Sequence, residues 1–314
     1  MARTDTLPHF LTDVADAIRE KKGTQESITA SDFDTEIANL PSGEQISDYI
    51  DTTVNFDIST NNVYKLIKKM ENIELENNVQ YISFNGNEKI EYISFAPNNA
   101  QLTSMNSTFY NCSKLVTAKL NELNLSNVSN LSYVFYMCGA LKEVEIDDWD
   151  VSNVTSINML FFRCNSIEKL NLNKWDTSKV TSLNQAFRDF GSLTELNISN
   201  WDVSKVTNFS SCFVGLPSLQ SLDLSGWHTE SATNFSNMFG WTTGLKHLDI
   251  RNFVFDNVTN YDSMFPTTSH GPVPFNCEII VKSNNEKEWI NTNFPYMTNV
   301  KTVDEYEEEL NSDN

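Results

Sequence analysis

Apolar residues recur along most of this chain with a period of 26 residues. Trp149, Trp175, Trp201 and Trp227 mark one position of the repeat, and the same phase continues at Phe253. We number this position 0 and count the residues that follow it within each coil. A repeat of this length is typical of a solenoid, in which one unit cannot bury its apolar face alone but stacked neighbours can.

Two further patterns within the coil predict its elements. Positions 5, 8, 12 and 15 are apolar in most coils, as at Val154, Ile157, Phe161 and Cys164, and this spacing favours one face of a helix. A Leu-x-x-Leu-x-Leu pattern at positions 18, 21 and 23 predicts a short strand, as in 167–172. We therefore predict an α/β solenoid, similar to leucine-rich repeats, with one short parallel strand and one helix in each coil, preceded by a small N-terminal helical module.

Aromatic residues hold two positions of the repeat, because position 12 is Phe in every coil. Rings that stack at one position are typical of a core and not of a ligand cage. We predict a structural spine formed by Trp149, Trp175, Trp201, Trp227, Phe109, Phe135, Phe161, Phe187, Phe213, Phe239 and Phe265.

The chain divides into four segments on this pattern. We predict that residues 1–43 form a helical anchor or oligomerisation module and that 44–96 form a linker and N-terminal cap with the first strands. Residues 97–270 should form the regular coils, and 271–314 should form a C-terminal cap with an acidic tail.

The two flanking segments carry local predictions of their own. In the N-terminal cap, 63–70 predicts a helix, and the near-copies 81–84 and 92–95 each predict a strand. In the C-terminal cap we predict a last strand at 277–282, a capping helix at 287–293 and a frayed or surface tail at 304–314.

Two apolar stripes at helical spacing distinguish residues 1–43 from the coils. They comprise Leu7, Phe10, Leu11, Val14, Ile18, Phe33, Ile37 and Leu40. Two helices of this size cannot bury enough surface to fold alone, so their stripes must dock on another surface. We predict that they form an anchor or a homo-oligomerisation module; a cap on the solenoid is the alternative.

Composition argues against several partners. The formal charge is −20, with 22 Lys and Arg against 42 Asp and Glu, so neither nucleic acid nor an anionic membrane surface is an expected partner. No apolar stretch approaches the ~18 residues of a membrane span, so we expect no membrane insertion. The N-terminus also lacks the apolar region of a secretory signal peptide.

Residues with catalytic or metal-binding chemistry are few. The five cysteines form no C-x-x-C pair, and Cys112, Cys138 and Cys164 share position 15, which predicts apolar core residues in a protein made in a reducing compartment. The four histidines have no metal-ligand spacing. We predict no catalytic residue, no cofactor, no metal and no enzymatic activity.

Positions 20, 22 and 24 alternate with the buried leucines and should face outward on the strand side. They form a polar surface that is either simply solvated or binds a polar ligand such as cell-wall glycan. Glu143, Glu145 and Asp147 also raise the alternative of a Ca²⁺ site. The candidate ligand residues are Lys119, Glu143, Glu145, Asp147, Lys169, Asn171, Glu195, Asn197, Asp223, His247, Asp249 and Arg251.

The coils resemble BspA-type leucine-rich repeats over roughly residues 80–300. The resemblance is carried by Trp-Asp-Val-Ser-Asn-Val-Thr at 149–155, by Met-Leu-Phe-Phe at 159–162 with Cys164, and by 167–172. It implies a solenoid that binds other molecules, usually on bacterial surfaces, without catalysis. Standard repeats of this kind carry Asn or Cys where this chain has Trp. We therefore predict that the Trp column packs the corner by burial and not through a hydrogen-bonded ladder.

Residues 7–23 and 28–41 are similar to the N-termini of virion proteins from phages and prophages of Gram-positive bacteria. This resemblance implies a virion protein that is assembled in the host cytoplasm and released by lysis. Residues 1–43 would bind other virion proteins, and the solenoid would bind a host-surface protein or glycan. A tail or baseplate location is favoured; the alternatives are a capsid decoration protein and a bacterial surface adhesin of the BspA-like family.

Overall fold

The structure, a computed structural model, describes residues 68–312 except 74, 76, 78, 269–270 and 273–275. The predicted anchor helices of residues 1–43, with their eight stripe residues, lie outside the described part of the chain.

The described residues form a parallel β-solenoid of about seven turns. Short strands build one side of it, and two helices follow at its C-terminal end. The elements are β1 (Lys69–Ile73), β2 (Tyr92–Phe95), β3 (Thr117–Lys119), β4 (Glu143–Glu145), β5 (Lys169–Asn171), β6 (Glu195–Asn197), β7 (Ser221–Asp223), β8 (His247–Asp249), β9 (Thr267–Thr268), β10 (Gly271–Pro272), β11 (Glu278–Val281), α1 (Asn284–Asn293), β12 (Val300–Thr302) and α2 (Val303–Ser312).

The helix predicted in each coil is wrong, because positions 8–15 fold into consecutive tight turns. In one coil the amide of Leu160 donates to the carbonyl of Ile157 at 3.2 Å, and the amide of Cys164 donates to that of Phe161 at 3.1 Å. Met159 and Arg163, at positions 10 and 14, have left-handed backbones with φ of 52° and 61°. A left-handed residue at every fourth position is incompatible with a right-handed α-helix and matches the third residue of a type II turn.

These turns carry a hydrogen-bonded ladder of their own on the side opposite the strands. The amides of Met159, Phe161 and Arg163 donate to carbonyls of the next coil at 2.9–3.0 Å. At position 7 a chain of parallel bridges runs from Asn130 to Asn260 without a break. We call this side the turn face and the opposite side the strand face.

The strand face is less continuous than the turn face. Within the described residues β1–β2–β3–β4, β5–β6 and β7–β8–β11–β12 form three separate parallel sheets, and β9 pairs with β10 in an antiparallel hairpin. The ladder is therefore interrupted between β4 and β5 and again between β6 and β7.

The predicted spine lies in the core. The seven Phe rings at position 12 are fully buried, and their centroids are 5.2–6.2 Å apart along the stack. The four Trp rings are also buried, with centroids 6.0–6.2 Å apart.

The Trp column also contains the hydrogen bonds that we expected it to lack. The indole nitrogen of Trp149 donates to the Leu120 carbonyl at 2.8 Å, and that of Trp201 donates to the Leu172 carbonyl at 2.9 Å. Trp175 and Trp227 repeat this contact at 3.0 Å. The prediction of packing by burial alone was wrong, because the indole N–H requires a partner once it is buried.

The N-terminal cap differs from its prediction in two places. Lys69 and Met70 belong to strand β1 and not to a helix, while 63–67 lies outside the described residues. Residues 81–84 form no strand: Tyr81 makes a single bridge to Ser104 on the turn face, and the Phe84 ring stacks on Phe109 at 5.2 Å. The near-copies 81–84 and 92–95 are thus the turn side and the strand side of one coil.

At the C-terminal end, β11 and α1 lie where a strand and a capping helix were predicted. Ser283 and Glu286 form a capping box at the start of α1. β11 is not the last strand, because β12 pairs with it in parallel. The segment predicted to be a frayed or surface tail forms the exposed helix α2, which is held by ion pairs from Lys287 to Glu305 at 2.7 Å and from Lys301 to Glu309.

Candidate functional site

The candidate ligand residues lie on the strand face, where alternation within each short strand directs them outward. Lys169 and Asn171 are exposed on either side of the buried Leu170. Glu195 is likewise exposed beside the buried Leu196.

Charged residues on this face pair laterally between neighbouring coils. Lys119 lies 2.6 Å from Glu145 and 3.8 Å from Glu143, and Lys169 lies 2.8 Å from Glu195. The hydrogen bond and charge of Glu145 raise the pKa of Lys119, and those of Glu195 raise the pKa of Lys169. These side chains therefore satisfy one another within the stack.

The suggested Ca²⁺ ligands do not form a metal site. Asp147 accepts a hydrogen bond from Asn121 at 3.0 Å and one from Lys174 at 3.0 Å, and both contacts lower its pKa. Glu143 and Glu145 are directed to Lys119. Nowhere in the described part of the chain do three or more His, Cys, Asp or Glu side chains form a group that could hold a metal ion.

The last strand-face residues are partly covered. Asp249 was predicted to be exposed, but it is 6% exposed because Arg251 binds its carboxylate at 2.6 Å. The His247 Nδ1 lies 2.9 Å from a Glu278 carboxylate oxygen, and Lys301 binds the same carboxylate at 2.7 Å.

Three remaining candidates differ in their surroundings. Asn171 and Asp223 accept backbone N–H groups two residues later, at 3.2 and 2.9 Å, so they help turn the chain out of the strand. Asn197 lies half-buried at the end of β6.

The cysteine column is buried, as predicted for core residues, and its thiols make hydrogen bonds. The Cys138 Sγ donates to the Phe109 carbonyl at 3.0 Å, and the Cys164 Sγ to the Phe135 carbonyl at 3.1 Å. Burial raises the pKa of the Cys112 thiol to about 12. All five cysteines are free and buried, so none is a reactive thiolate at neutral pH.

Sequence reasoning missed an aromatic cluster on the turn face. The rings of Tyr110, Tyr136 and Phe162 stack at 4.6 and 4.7 Å, and the guanidinium groups of Arg163 and Arg188 lie 5.3 and 5.5 Å from the centre of the Phe162 ring. These residues occupy positions 13 and 14. The predicted helix did not indicate on which surface the side chains at these two positions would lie.

Sequence reasoning also missed Trp241, which is 59% exposed on the turn face. The four Trp residues of the column are at most 3% exposed. The signal was available, because Trp241 falls outside the 26-residue count that explains those four.

Comparison with protein families identifies the family to which the repeat belongs. The family described as "Mycoplasma protein of unknown function, DUF285" matches residues 103–195 and 181–292, which together span more than half of the chain. The chain belongs to the DUF285 family. This DUF285 chain is a BspA-like leucine-rich-repeat protein, in agreement with the resemblance of its coils.

Comparison with individual proteins adds little. A leucine-rich-repeat protein of Leptospira interrogans is 13% identical, with 79% of this chain and 94% of that chain covered, at a TM-score of 0.20. So low a TM-score does not support a shared arrangement of the coils. None of the curated proteins matches the chain. No helix among the described residues is long and apolar enough to cross a membrane.

Proposed function

We propose that this DUF285 protein is a non-enzymatic structural and adhesion protein of a phage virion. Its N-terminus anchors it to the particle, on the tail or baseplate, and the solenoid binds a host-surface protein or glycan. The observation that carries the proposal is the rigid, repeated framework, in which a constant aromatic core supports variable outward side chains.

The rigidity follows from contacts between coils. Each coil of the regular stack places a Phe ring on the next, and the turn-face bridges run unbroken from Asn130 to Asn260. The Thr hydroxyls at position 6 add a corner ladder, as where Thr181 donates to the Thr155 carbonyl at 3.2 Å. Such a stack can hold a binding surface away from its point of attachment without losing its shape.

The anchor rests on the resemblance of residues 7–23 and 28–41 to the N-termini of phage virion proteins. The two apolar stripes in residues 1–43 need a partner surface, and other virion proteins or further copies of this chain would supply it. A capsid decoration protein would use the same anchor, and locating the chain on the particle distinguishes it from a tail protein.

A bacterial surface adhesin is the second candidate. The description of the DUF285 family names Mycoplasma, a cellular organism, and this favours display on a cell. The two candidates share the binding solenoid and differ in what carries it.

Immunogold electron microscopy of cells and particles that carry this gene tests the proposal. We expect gold on purified particles at the tail or baseplate. Phe10→Asp or Val14→Asp should remove the label because a charge disrupts the apolar stripe, whereas the matched change Thr12→Asp on a polar position should retain it.

Label on the capsid would replace the tail location with capsid decoration. Label on the cell envelope and none on particles would overturn the virion proposal and favour the adhesin. Circular dichroism of each purified variant should show that its fold is unchanged.

A further inference from the structure

We infer that the turn face carries a binding site for a neutral saccharide, formed by Asp189, Gly215 and Trp241. This inference rests on the proposed adhesive function and deepens it, since it names the site and the ligand class. The site lies opposite the strand face, whose charged residues pair mainly with one another.

The three residues stack directly above one another. They occupy position 14 of three consecutive coils. The amide of Asp189 donates to the Val214 carbonyl at 2.8 Å, and the amide of Gly215 donates to the Gly240 carbonyl at 2.8 Å. With strands ~4.8 Å apart, Asp189 and Trp241 are separated by about 10 Å along the stack.

Gly215 leaves room for the Asp189 carboxylate to lie against its backbone. Its backbone is left-handed, with φ of 72°, and a Cβ added to it would lie 2.6 Å from Asp189 Oδ1. The carboxylate therefore leans over the glycine towards Trp241. Gly240, beside the tryptophan, also lacks a side chain.

One oxygen of the Asp189 carboxylate lies near two arginines, and the other has no hydrogen-bond donor among the described residues. Its Oδ2 lies 3.5 Å from Arg163 Nε and 3.6 Å from Arg188 Nε. Its Oδ1 accepts no hydrogen bond from any residue that the structure describes, and the side chain is 30% exposed. Arg163 thus orients the carboxylate through a hydrogen bond, while Arg188 lies near it without one, and the other carboxylate oxygen is available to a ligand hydroxyl.

Trp241 provides the apolar surface of the site. It is the most exposed of the large hydrophobic side chains in the described chain, and its backbone is left-handed with φ of 60°. This conformation belongs to the turn, because the other residues at position 14, such as Arg163 and Asp189, share it. The exposure of its ring is what distinguishes Trp241. Its ring makes no aromatic contact with the other described residues.

The chemistry of the site fits a sugar ring. A pyranose has an apolar C–H face that can pack on an indole and hydroxyls that can donate to a carboxylate. One ring fits between an aromatic and an acceptor about 10 Å apart, that is, two strand spacings. The chain's net charge of −20 opposes acidic glycans, which favours a neutral one.

Titration of the full chain with chitotriose, maltotriose and mannotriose tests the inference, with 3′-sialyllactose as the acidic comparison. Tryptophan fluorescence should change on binding, because the other five Trp residues are buried or partly buried. We expect millimolar or tighter binding of at least one neutral trisaccharide and weaker binding of the acidic one. Calorimetry measures the variants, since Trp241→Ala removes the reporter.

Trp241→Ala, Asp189→Asn and Gly215→Ala should each weaken binding at least tenfold, while Glu143→Gln on the strand face should leave it unchanged. Trp241→Phe, which keeps an aromatic face, should retain part of the affinity and guards against a folding defect. Absence of binding by every neutral trisaccharide, or equal binding by all the variants, would overturn the site. If gold labels the particles but these variants bind the trisaccharide as the wild type does, the saccharide site is rejected and the virion proposal stands. If the trisaccharide binds through Trp241 but no particle is labelled, only the virion proposal is rejected.

Discussion

The tryptophans at position 0 combine two kinds of stabilisation in one residue. Each ring is buried between its neighbours, and each indole N–H reaches a strand-end carbonyl 29 residues earlier, one turn of the solenoid away. A phenylalanine could supply the first contribution but not the second.

Trp201→Phe should lower the free energy of unfolding by about 1–3 kcal/mol, because the hydrogen bond to the Leu172 carbonyl is lost and the smaller ring leaves a void. Urea denaturation measures the change. Trp241→Phe is the matched control, since its ring is exposed and the change should cost less than about 0.5 kcal/mol. Equal effects at the two sites would contradict the role given to the column.

Burial could be predicted from the sequence at these residues, but hydrogen bonding could not. The 26-residue count identified Trp201 and Phe187 as core because period alone determines which side chains stack. The partner of the indole is a backbone carbonyl one coil away, and its position depends on how the coil turns. For the same reason the sequence indicated a polar strand face but not that Asp249 is covered by Arg251.

At the scale of the element, tight turns imitate the pattern of a helix. The buried residues Ile157, Leu160, Phe161 and Cys164 have spacings of three, one and three, which one face of a helix would also give. Left-handed residues at positions 10 and 14 separate the two structures, and five of them are Met, Arg, Gln or Trp whereas three are Gly or Asn. Composition therefore gave no turn signal.

At position 15 of the coil, a threonine and a cysteine make the same side-chain hydrogen bond. Thr242 replaces the cysteine of earlier coils there, and its hydroxyl donates to the Phe213 carbonyl as Cys164 does to Phe135. Thr242→Val should therefore destabilise the fold by about 1–3 kcal/mol, since it leaves a buried carbonyl without this donor. Thr242→Cys should cost less, and thermal denaturation ranks the two. A valine variant as stable as the cysteine variant would show that the column is purely apolar.

The C-terminal cap should respond to acid. Burial raises the pKa of Glu278, but hydrogen bonds from Lys301 and His247 and their charges together bring it below its ordinary value. A lowered pKa in the folded state means that the stabilisation is present above the ordinary Glu pKa of about 4.3 and is lost as the pH falls through the folded value. Glu278→Gln should therefore flatten the loss of thermal stability below about pH 4.3, while Glu308→Gln, exposed on α2, should not. If Glu278→Gln loses thermal stability in acid as the wild type does, that loss arises from other carboxylates.

At the scale of the whole molecule, the two faces of the solenoid are bonded unequally. The turn face is continuous from Asn130 to Asn260, whereas the strand face opens at β4/β5 and β6/β7. Repulsion does not explain the first opening, because Glu143 and Lys169 hold equivalent positions with opposite charges.

Hydrogen exchange should detect these openings directly. The amides of Thr194 and Glu195 donate to the Glu168 carbonyl at 2.8 and 3.3 Å, but in the described chain the equivalent amides of Glu168 and Lys169, one coil earlier, make no such bond to Lys142. We expect Glu168 and Lys169 to exchange faster than Thr194 and Glu195, because unbonded strand amides need no opening reaction. Turn-face amides such as that of Phe161 should stay protected throughout. Equal protection of the two strand pairs would show that the strand ladder is closed in solution.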